Sequence, residues 1–396
     1  MNRTVDVLVV GAGPAGLALA ARLAGAGAGR VEVVEREQDA GGVPRHCAHG
    51  GFGGPSRPWL RGPAYARRAT EAAVGAGASV RTGVTATGWA GPLSLDTTSP
   101  AGVERITARA VVLATGARER PRSARLVPGS RPAGVLTTGE LQQSVHLYGQ
   151  SVGRRAVVVG ADPVVRHAVR TLRRAGAEVV AVVTDRPRGT FLPGVPLLTS
   201  TTVAELRGRG RLSGVALHHA DGRSGVLACD TVVFTGDWIP DHELARRGGV
   251  ILDAGTRGPG VDASFRTSAP GVFAVGNALH GVENAATAAA EGAAAAAPVL
   301  ARLSGAAWPD AGPPVVVRAP LSWVTPNRVT GPAGRPLLLR SGEALTGPVV
   351  TVGQDGRLLW RRRFPGRVSP SRSMRLPPDW TVRVDPAGGP VVVRVG

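Results

Sequence analysis

Six residues near the start of the chain, Gly-Ala-Gly-Pro-Ala-Gly at 11–16, restrict its fold more than any other feature. They follow the apolar run Val-Asp-Val-Leu-Val-Val (5–10) and open a stretch of small, apolar residues that reaches about Ala24. Strand, glycine turn and helix in that order form a dinucleotide-binding fingerprint. Gly11 permits the tight turn, Gly13 lets backbone approach a pyrophosphate, and Gly16 lets the helix lie close to the strand. The helix start at Pro14 and Ala15 offers amide donors and the positive end of the helix dipole to phosphates. A second strand, Val-Glu-Val-Val-Glu (31–35), ends on Glu35, which is placed to accept hydrogen bonds from a ribose. A glycine string is weak by itself in a chain with 56 glycines, but strand, helix and acid in register make it specific.

At 396 residues the chain exceeds one ordinary hydrophobic core, so two or three domains are expected. Its 43% hydrophobic content fits a globular protein and not a disordered one. The formal net charge of +19 is carried by arginine alone, because the sequence has no lysine. The arginines are scattered (67–68, 173–174, 361–363) and no aromatic residues interleave them, which reads as a solvated basic surface and not a nucleic-acid site. Two cysteines, Cys47 and Cys229, exclude a disulfide framework, a four-cysteine zinc site or an iron–sulfur cluster held by this chain alone, and no metal is expected. The stretch from Val5 to Gly29 includes Asp6, two turn glycines, Pro14 and Arg22, so it reads as strand, turn and helix and not as a membrane span. With no signal peptide evident, a cytoplasmic location is expected.

A Gly/Pro-rich loop from Arg36 to Pro63 leads to an expected helix at 64–76, short β-segments over 79–109 and an apolar strand at 110–115. A second strand–turn–helix–strand begins at Ala156, with Asp162 as expected N-cap and Pro163 at the first helical position. Val164, Val165, Ala168, Val169 and Leu172 give its helix an apolar stripe. A strand at 230–236, the run Pro-Gly-Val-Phe-Ala-Val-Gly-Asn (270–277) and an alanine-rich helix at about 284–303 follow. From Trp308 the chain turns to prolines and short β-runs, with a hairpin signal at Asp355-Gly356, and reads as a small all-β domain.

Three further segments carry a resemblance: ATGARERPR (114–122), VVFTGDWIPDHEL (232–244) and TSAPGVFAVGNALHGVENAATAAAEG (267–292). With the glycine turn and in this order, they resemble flavoproteins with two dinucleotide-binding domains, the class of thioredoxin reductase and the pyridine-nucleotide disulfide oxidoreductases. The resemblance covers residues 5 to about 303 and implies an α/β fold of two Rossmann-like three-layer domains. The second is inserted in the first, and the small C-terminal all-β domain follows. The implied boundaries are 1–122 and 250–304 for a discontinuous FAD-binding domain, 123–249 for an inserted NAD(P)-binding-like domain and 305–396 for the β-domain. FAD is the implied cofactor. Beyond Gly11, Gly13, Pro14, Ala15, Gly16 and Glu35, its implied contacts are Arg36, Gly42, Arg45 and Val84. The strand end adds Ala114, Thr115 and Gly116. Gly276 and Asn277 would meet the ribityl chain, while Asn284 and Ala285 start a helix aimed at the flavin pyrimidine edge, where a dipole favours negative charge on the reduced ring.

Three departures sharpen this. Asn277 stands where the family usually has aspartate, and it retains the ability to hydrogen-bond a ribityl hydroxyl. Residues 160–165 read Gly-Ala-Asp-Pro-Val-Val, so only the first glycine of a second fingerprint survives. Asp162 there would repel a pyrophosphate, which argues against NAD(P). Cys47 stands alone in GGVPRHCAHGGFG (41–53), so no dithiol is available for disulfide exchange.

What remains resembles the FAD subunits of hydrogen cyanide synthase, of opine and hydroxyproline dehydrogenases, and part of sarcosine oxidase. That implies oxidation of a small amine, amino-acid or hydroxy substrate, with electrons passed to a partner protein, second subunit or quinone. The alternatives are an NAD(P)H-dependent reductase of a protein or small acceptor, and a non-catalytic flavoprotein subunit or redox sensor. His46, Cys47 and His280 are the acid–base candidates near the flavin, with His49 beside them. The plainer reading has His46 and His49 bonding loop backbone and Cys47 filling space. Trp238 is read as a structural aromatic at the domain crossing.

Overall fold

The structure is a computed structural model that describes residues 2–54 and 56–396. In β1 (Asn2–Val10) the residues Val5, Val7, Leu8 and Val9 are at most 3% exposed, so both strand faces are covered. Such a strand belongs inside a parallel sheet with helices on its faces. After α1 (Pro14–Gly25), β2 (Val31–Glu35) pairs parallel with β1. Next come α2 (Gly62–Gly75), β3 (Ser79–Thr82), β4 (Thr85–Gly91), β5 (Ser94–Ser99) and β6 (Gly102–Leu113). The sheet runs β3-β2-β1-β6-β5-β4. The apolar run expected as a separate strand at 110–115 is the end of β6, whose first half pairs with β5 before its second half enters the core. The helix expected from residue 64 starts at Gly62, with a proline in its first turn.

β7 (Ala117–Glu119) leaves this sheet, and β8 (Val135–Thr137), α3 (Thr138–His146), β9 (Arg155–Val159), α4 (Val165–Arg174) and β10 (Glu178–Val183) begin another. With β11 (Leu197–Leu198) and β15 (Thr231–Phe234) they form a parallel sheet in the order β11-β10-β9-β15-β8. Between those last two in sequence, β12 (Thr201–Arg209), β13 (Arg211–His219) and β14 (Ser224–Ala228) make an antiparallel meander. β16 (Trp238–Pro240) returns antiparallel to β7, so Trp238 faces Glu119 at the crossing. After α5 (Glu243–Arg247), β17 (Val272–Ala274) pairs parallel with β6 and completes the first sheet. The alanine-rich α6 (Ala285–Leu303) then lies against α1. A Cβ on Gly292 would collide with the Ala15 carbonyl, so glycine is what lets the two backbones meet.

The N-cap expected at Asp162 is not formed. The α4 N-cap is Val164, in helical conformation and without a side-chain cap, because residues 162–164 make a turn in which the Val165 amide donates to the Asp162 carbonyl (3.0 Å).

The tail comprises β18 (Val315–Val317), β19 (Leu321–Thr325), β20 (Leu337–Ser341), β21 (Leu345–Thr346), β22 (Val349–Gln354), β23 (Arg357–Arg363), β24 (Arg367–Val368), β25 (Met374–Leu376) and β26 (Val391–Val395). Its sheets, β18-β26-β22-β23, β19-β20-β25 and β21-β24, enclose a core of their own around the fully buried Trp380, with Leu339, Val350 and Val352. Asp355 and Gly356 join β22 to β23, both with positive φ (48° and 80°), the backbone that a tight two-residue hairpin requires. The tail is fastened to the segment before α6. Asn327 Oδ1 accepts the Val261 N–H (2.8 Å), the Thr330 hydroxyl donates to Asp262 (2.8 Å), and the Arg335 guanidinium lies 3.7 Å from the Phe265 ring centre. Among the described residues no helix is long and apolar enough to cross a membrane.

Candidate functional site

The three glycines of the first turn answer to different neighbours. Gly11 has φ of +107°, and a Cβ on it would strike the Ala114 carbonyl; a Cβ on Gly16 would strike the Gly11 carbonyl. The chain itself therefore demands glycine at both. Gly13 has no atom of the chain within 4 Å of where its Cβ would be, so nothing in the protein requires it. That open space sits at the start of α1, which has no acid in its first turn and no side-chain cap. Donors left free beside an uncrowded glycine suit a phosphate.

Glu35 is buried and holds the turn in place. Its Oε2 accepts the Ala12 N–H (2.8 Å) and its Oε1 accepts the Glu37 N–H (3.0 Å). The loop after β2 folds back over the same point: the Gly41 amide donates to the Ala12 carbonyl (2.8 Å), and Gly42 (φ +62°) would place a Cβ 2.9 Å from Gly13 Cα. Val84 is a buried core residue whose amide donates to the Glu35 carbonyl (2.9 Å). Ala114 and Thr115 follow β6; the Thr115 hydroxyl donates to the Asp241 carbonyl (2.6 Å), while Gly116 (φ +74°) faces open space. Gly276 (φ +69°) lies on the first turn of α1, where a Cβ would come 2.6 Å from the Ala15 side chain. Residues far apart in sequence, Gly11–Gly16, Glu35, Gly42, Ala114 and Gly276, thus share one locality at the ends of parallel strands, where an open α/β sheet binds ligands.

Other expected contacts are committed elsewhere. Arg45 Nη2 is paired with Asp39 (2.8 Å) and not left free for a phosphate; Arg36 reaches Asp241 (3.4 Å) from an exposed position. Asn277 clasps the next turn, its Nδ2 donating to the Glu283 carbonyl (2.9 Å) and its Oδ1 accepting the Glu283 N–H (3.2 Å). Asn284 caps α6 by accepting the Thr287 N–H (2.9 Å), and Ala285 is the first residue of that helix. Each amide side chain retains a second hydrogen-bonding position, so a ribityl chain can still be met.

The acid–base candidates separate on burial. Burial, aided by the charges of Arg45 and His146, pushes His46 down to about 4, so it is neutral near neutral pH. Its ring nitrogens make no hydrogen bond among the described residues, against the expectation that it would bond loop backbone. Cys47 packs beneath α3 with its thiol directed at Gln142 Oε1 (3.4 Å), and burial together with Glu119 pushes it up to about 12. An enclosed, protonated thiol is no nucleophile, which removes Cys47 from the acid–base set. His49 Nδ1 donates to the Gly50 carbonyl (2.8 Å), and its ring stacks on His167. His280 is fully buried, its Nε2 2.9 and 3.1 Å from the two oxygens of Glu291 and its ring stacked on Trp323. Burial favours its neutral form, but the Glu291 and Glu283 carboxylates outweigh this and hold its pKa above the ordinary histidine value. Sequence reasoning placed His280 toward the active site, whereas the structure turns it into the α6–β-domain contact, because Glu291 lies on the inner face of α6. Trp323, Arg340 and Glu283 were missed. No local pattern marks the first two, which lie in β-strands of the tail.

The second glycine turn differs at its second glycine position, where Asp162 stands in place of a glycine. Gly160 (φ +145°) abuts the Thr235 hydroxyl, and the Thr190 hydroxyl donates to the Ala161 and Asp162 carbonyls (3.1 and 3.3 Å). Gly160 thus matches Gly11, which Ala114 crowds in the same way, and the difference from the first turn is the Asp162 side chain, whose Oδ2 lies beside Gly236. Both cysteines are free and buried, and among the described residues no group of acids, histidines and cysteines could hold a metal.

Comparison with known proteins agrees with the first turn. Residues 5–292 match the family described as "Pyridine nucleotide-disulphide oxidoreductase". The A subunit of opine oxidase from Agrobacterium tumefaciens (strain Ach5) is 32% identical over 232 residues, 54% of this chain and 44% of that protein. The alpha subunit of sarcosine oxidase from Corynebacterium sp. (strain P-1) is 30% identical over 322 residues, 74% of this chain and 32% of that protein. The chain therefore spans less than half the length of these two relatives. The thioredoxin reductase of T. acidophilum has the same fold, with a TM-score of 0.63 at 23% identity over 76% of this chain and 98% of that one. With its open cradle at Gly13 and a matching profile over most of its length, the chain belongs to the pyridine nucleotide-disulphide oxidoreductase family and is an FAD-dependent oxidoreductase.

Proposed function

We propose that this chain oxidises a small amine or amino acid and passes the electrons to a partner protein, second subunit or quinone. The observation that carries the reading is the contrast between the two turns: a cradle open at Gly13 in the first, and one that carries the Asp162 carboxylate at the same position in the second. A nicotinamide-driven reductase would need both. The cysteines argue the same way, since neither Cys47 nor Cys229 has a partner for disulfide exchange. The names of the relatives, opine oxidase and sarcosine oxidase, support an amine or amino-acid substrate.

In this reading Gly11–Gly16, Glu35, Gly42, Ala114–Gly116 and the 276–285 segment hold the cofactor. Bound there, FAD supplies a two-electron acceptor for the carbon–hydrogen bond beside the substrate's nitrogen. His46, neutral and without a hydrogen bond, is the acid–base candidate that the geometry leaves. The test is anaerobic mixing with amines, amino acids, opines and hydroxy acids, following loss of the flavin's visible absorbance. Reduction by one of the nitrogen compounds supports the proposal. No reduction by any of them, with fast reduction by NADPH or NADH, replaces it with a nicotinamide-dependent reductase.

The relatives' designations as subunits favour a second feature, turnover that depends on another polypeptide. Full activity of the isolated chain with an artificial acceptor and with its natural one would exclude that dependence.

A further inference from the structure

The β-domain reaches the turn that begins the flavin-facing helix. Asn277 closes that turn by holding both backbone polar groups of Glu283. The Glu283 carboxylate then leaves the turn and enters the β-domain, where Arg340 Nη2 (2.8 Å) and the Ser373 hydroxyl both donate to its Oε1. Arg340 Nε also donates to the Ser373 oxygen (3.2 Å), and the Arg340 and Glu283 side chains are only 8% and 11% exposed. The guanidinium lies 5.2 Å from the ring centre of Trp323, and Trp323 stacks on His280, which is bound to Glu291 of α6.

A buried ion pair is a costly way to attach one domain to another, because both charges lose their water. The β-domain has cheaper fastenings at Asn327–Val261 and Thr330–Asp262. What the pair adds is a fixed position for Glu283, and through it for the backbone between Asn277 and the first turn of α6.

We propose that Arg340 is a positioning residue of the FAD site, acting through Glu283 and Asn277 to hold the 276–284 turn and the α6 N-terminus against the flavin. The inference rests on the reading of that turn as flavin-holding, and it makes the β-domain part of the cofactor site.

The experiment uses the full chain loaded with FAD and measures FAD dissociation by the fluorescence of released flavin, the flavin midpoint potential and the thermal unfolding midpoint. Arg340→Met should retain FAD about tenfold less tightly, equivalent to about 1.4 kcal/mol. Its midpoint potential should move to more negative values, because the Glu283 charge is left uncompensated. Arg340→Lys should recover part of both, and the double variant Glu283→Gln/Arg340→Met should recover most of the potential. Folded Arg340→Met with unchanged FAD retention and potential overturns the inference, even if its unfolding midpoint falls. Where Arg340→Met does not fold, Ser373→Ala decides: a smaller shift in the same direction supports the inference, and an unchanged potential overturns it. Gly13→Val tests the cradle separately, since it should release FAD whatever Arg340 does.

Discussion

His49 and His167 stack face to face, their ring centres 3.6 Å apart and their planes 18° from parallel. One belongs to the loop after β2 and the other to the first turn of α4, so the contact joins the loop beside the first glycine turn to the helix that follows the second. His167 is pushed down to about 4 by burial, with His49, Arg170 and Arg166 adding repulsion, and His46 nearby is also pushed down to about 4. Both have folded values below the ordinary histidine value of 6.5, so between pH 6.5 and 4 these two groups bind more protons in the unfolded chain than in the folded one. Their contribution to stability is lost as pH drops through that window. One pKa unit is worth about 1.4 kcal/mol, so buried His46 alone accounts for on the order of 3 kcal/mol across it. Urea unfolding at pH 7 and pH 4.5 should show the loss, and His46→Gln should reduce it. An unchanged loss in that variant would exclude His46 as its source.

His280 acts in the opposite direction. Its folded pKa is raised by Glu291 and Glu283, so its contribution is present in full below about 6.5 and disappears as pH rises through the raised value. Glu291→Gln should cost about 2 kcal/mol at pH 6, the range for a hydrogen bond to a charged group. It should also flatten the decline of stability on the alkaline side. A variant that is destabilised equally at pH 6 and pH 9 would show that the carboxylate's charge plays no part.

The three glycines should respond differently to substitution. Gly16→Ala forces a Cβ into the Gly11 carbonyl and is expected to destabilise the folded chain by more than about 2 kcal/mol. The Cβ that Gly13→Val adds has no non-neighbouring atom of the chain within 4 Å, so the unfolding midpoint of the apo-chain should change far less than for Gly16→Ala while FAD binding is lost. Retention of FAD by Gly13→Val would refute the placement of the pyrophosphate.

Cys47 should be inert. With its thiol held up at about 12 and enclosed against Gln142, it should resist iodoacetamide at pH 8 in the native protein and react only after unfolding. Rapid native labelling at Cys47, identified by peptide mapping, would return it to the list of reactive groups.

The architecture was legible where local pattern and packing agree. The strand at Val5–Val10, the turn at 11–16 and the helix after it formed as expected because their conformation is set by neighbours within one strand–turn–helix unit. Asp355-Gly356 read correctly for the same reason, since two residues of positive φ suffice to specify the hairpin. The errors arose where distant groups decide. Asp162 has the chemistry of a cap, yet the turn at 162–164 lets backbone carbonyl replace its carboxylate. Arg45 looked free for a phosphate until folding brought Asp39 to it, and His280 looked flavin-facing until α6 brought Glu291 behind it. Nothing in the run PLLLRS marks Arg340 as a partner of Glu283, because the pairing is made only by docking one domain on another.

The pairing of β17 with β6 sets a timetable for biosynthesis. Residues 111–113 wait in the nascent chain for residues 272–274, while the whole intervening domain emerges and can fold on contacts of its own. Asn277 and the start of α6 emerge later still. In the proposed reading, a ribosome that has exposed the glycine turn has made only half of a receptor for flavin, and cofactor capture belongs to the last stage of synthesis. Cells short of flavin should accumulate chains whose inserted domain resists protease while the first sheet remains open to it.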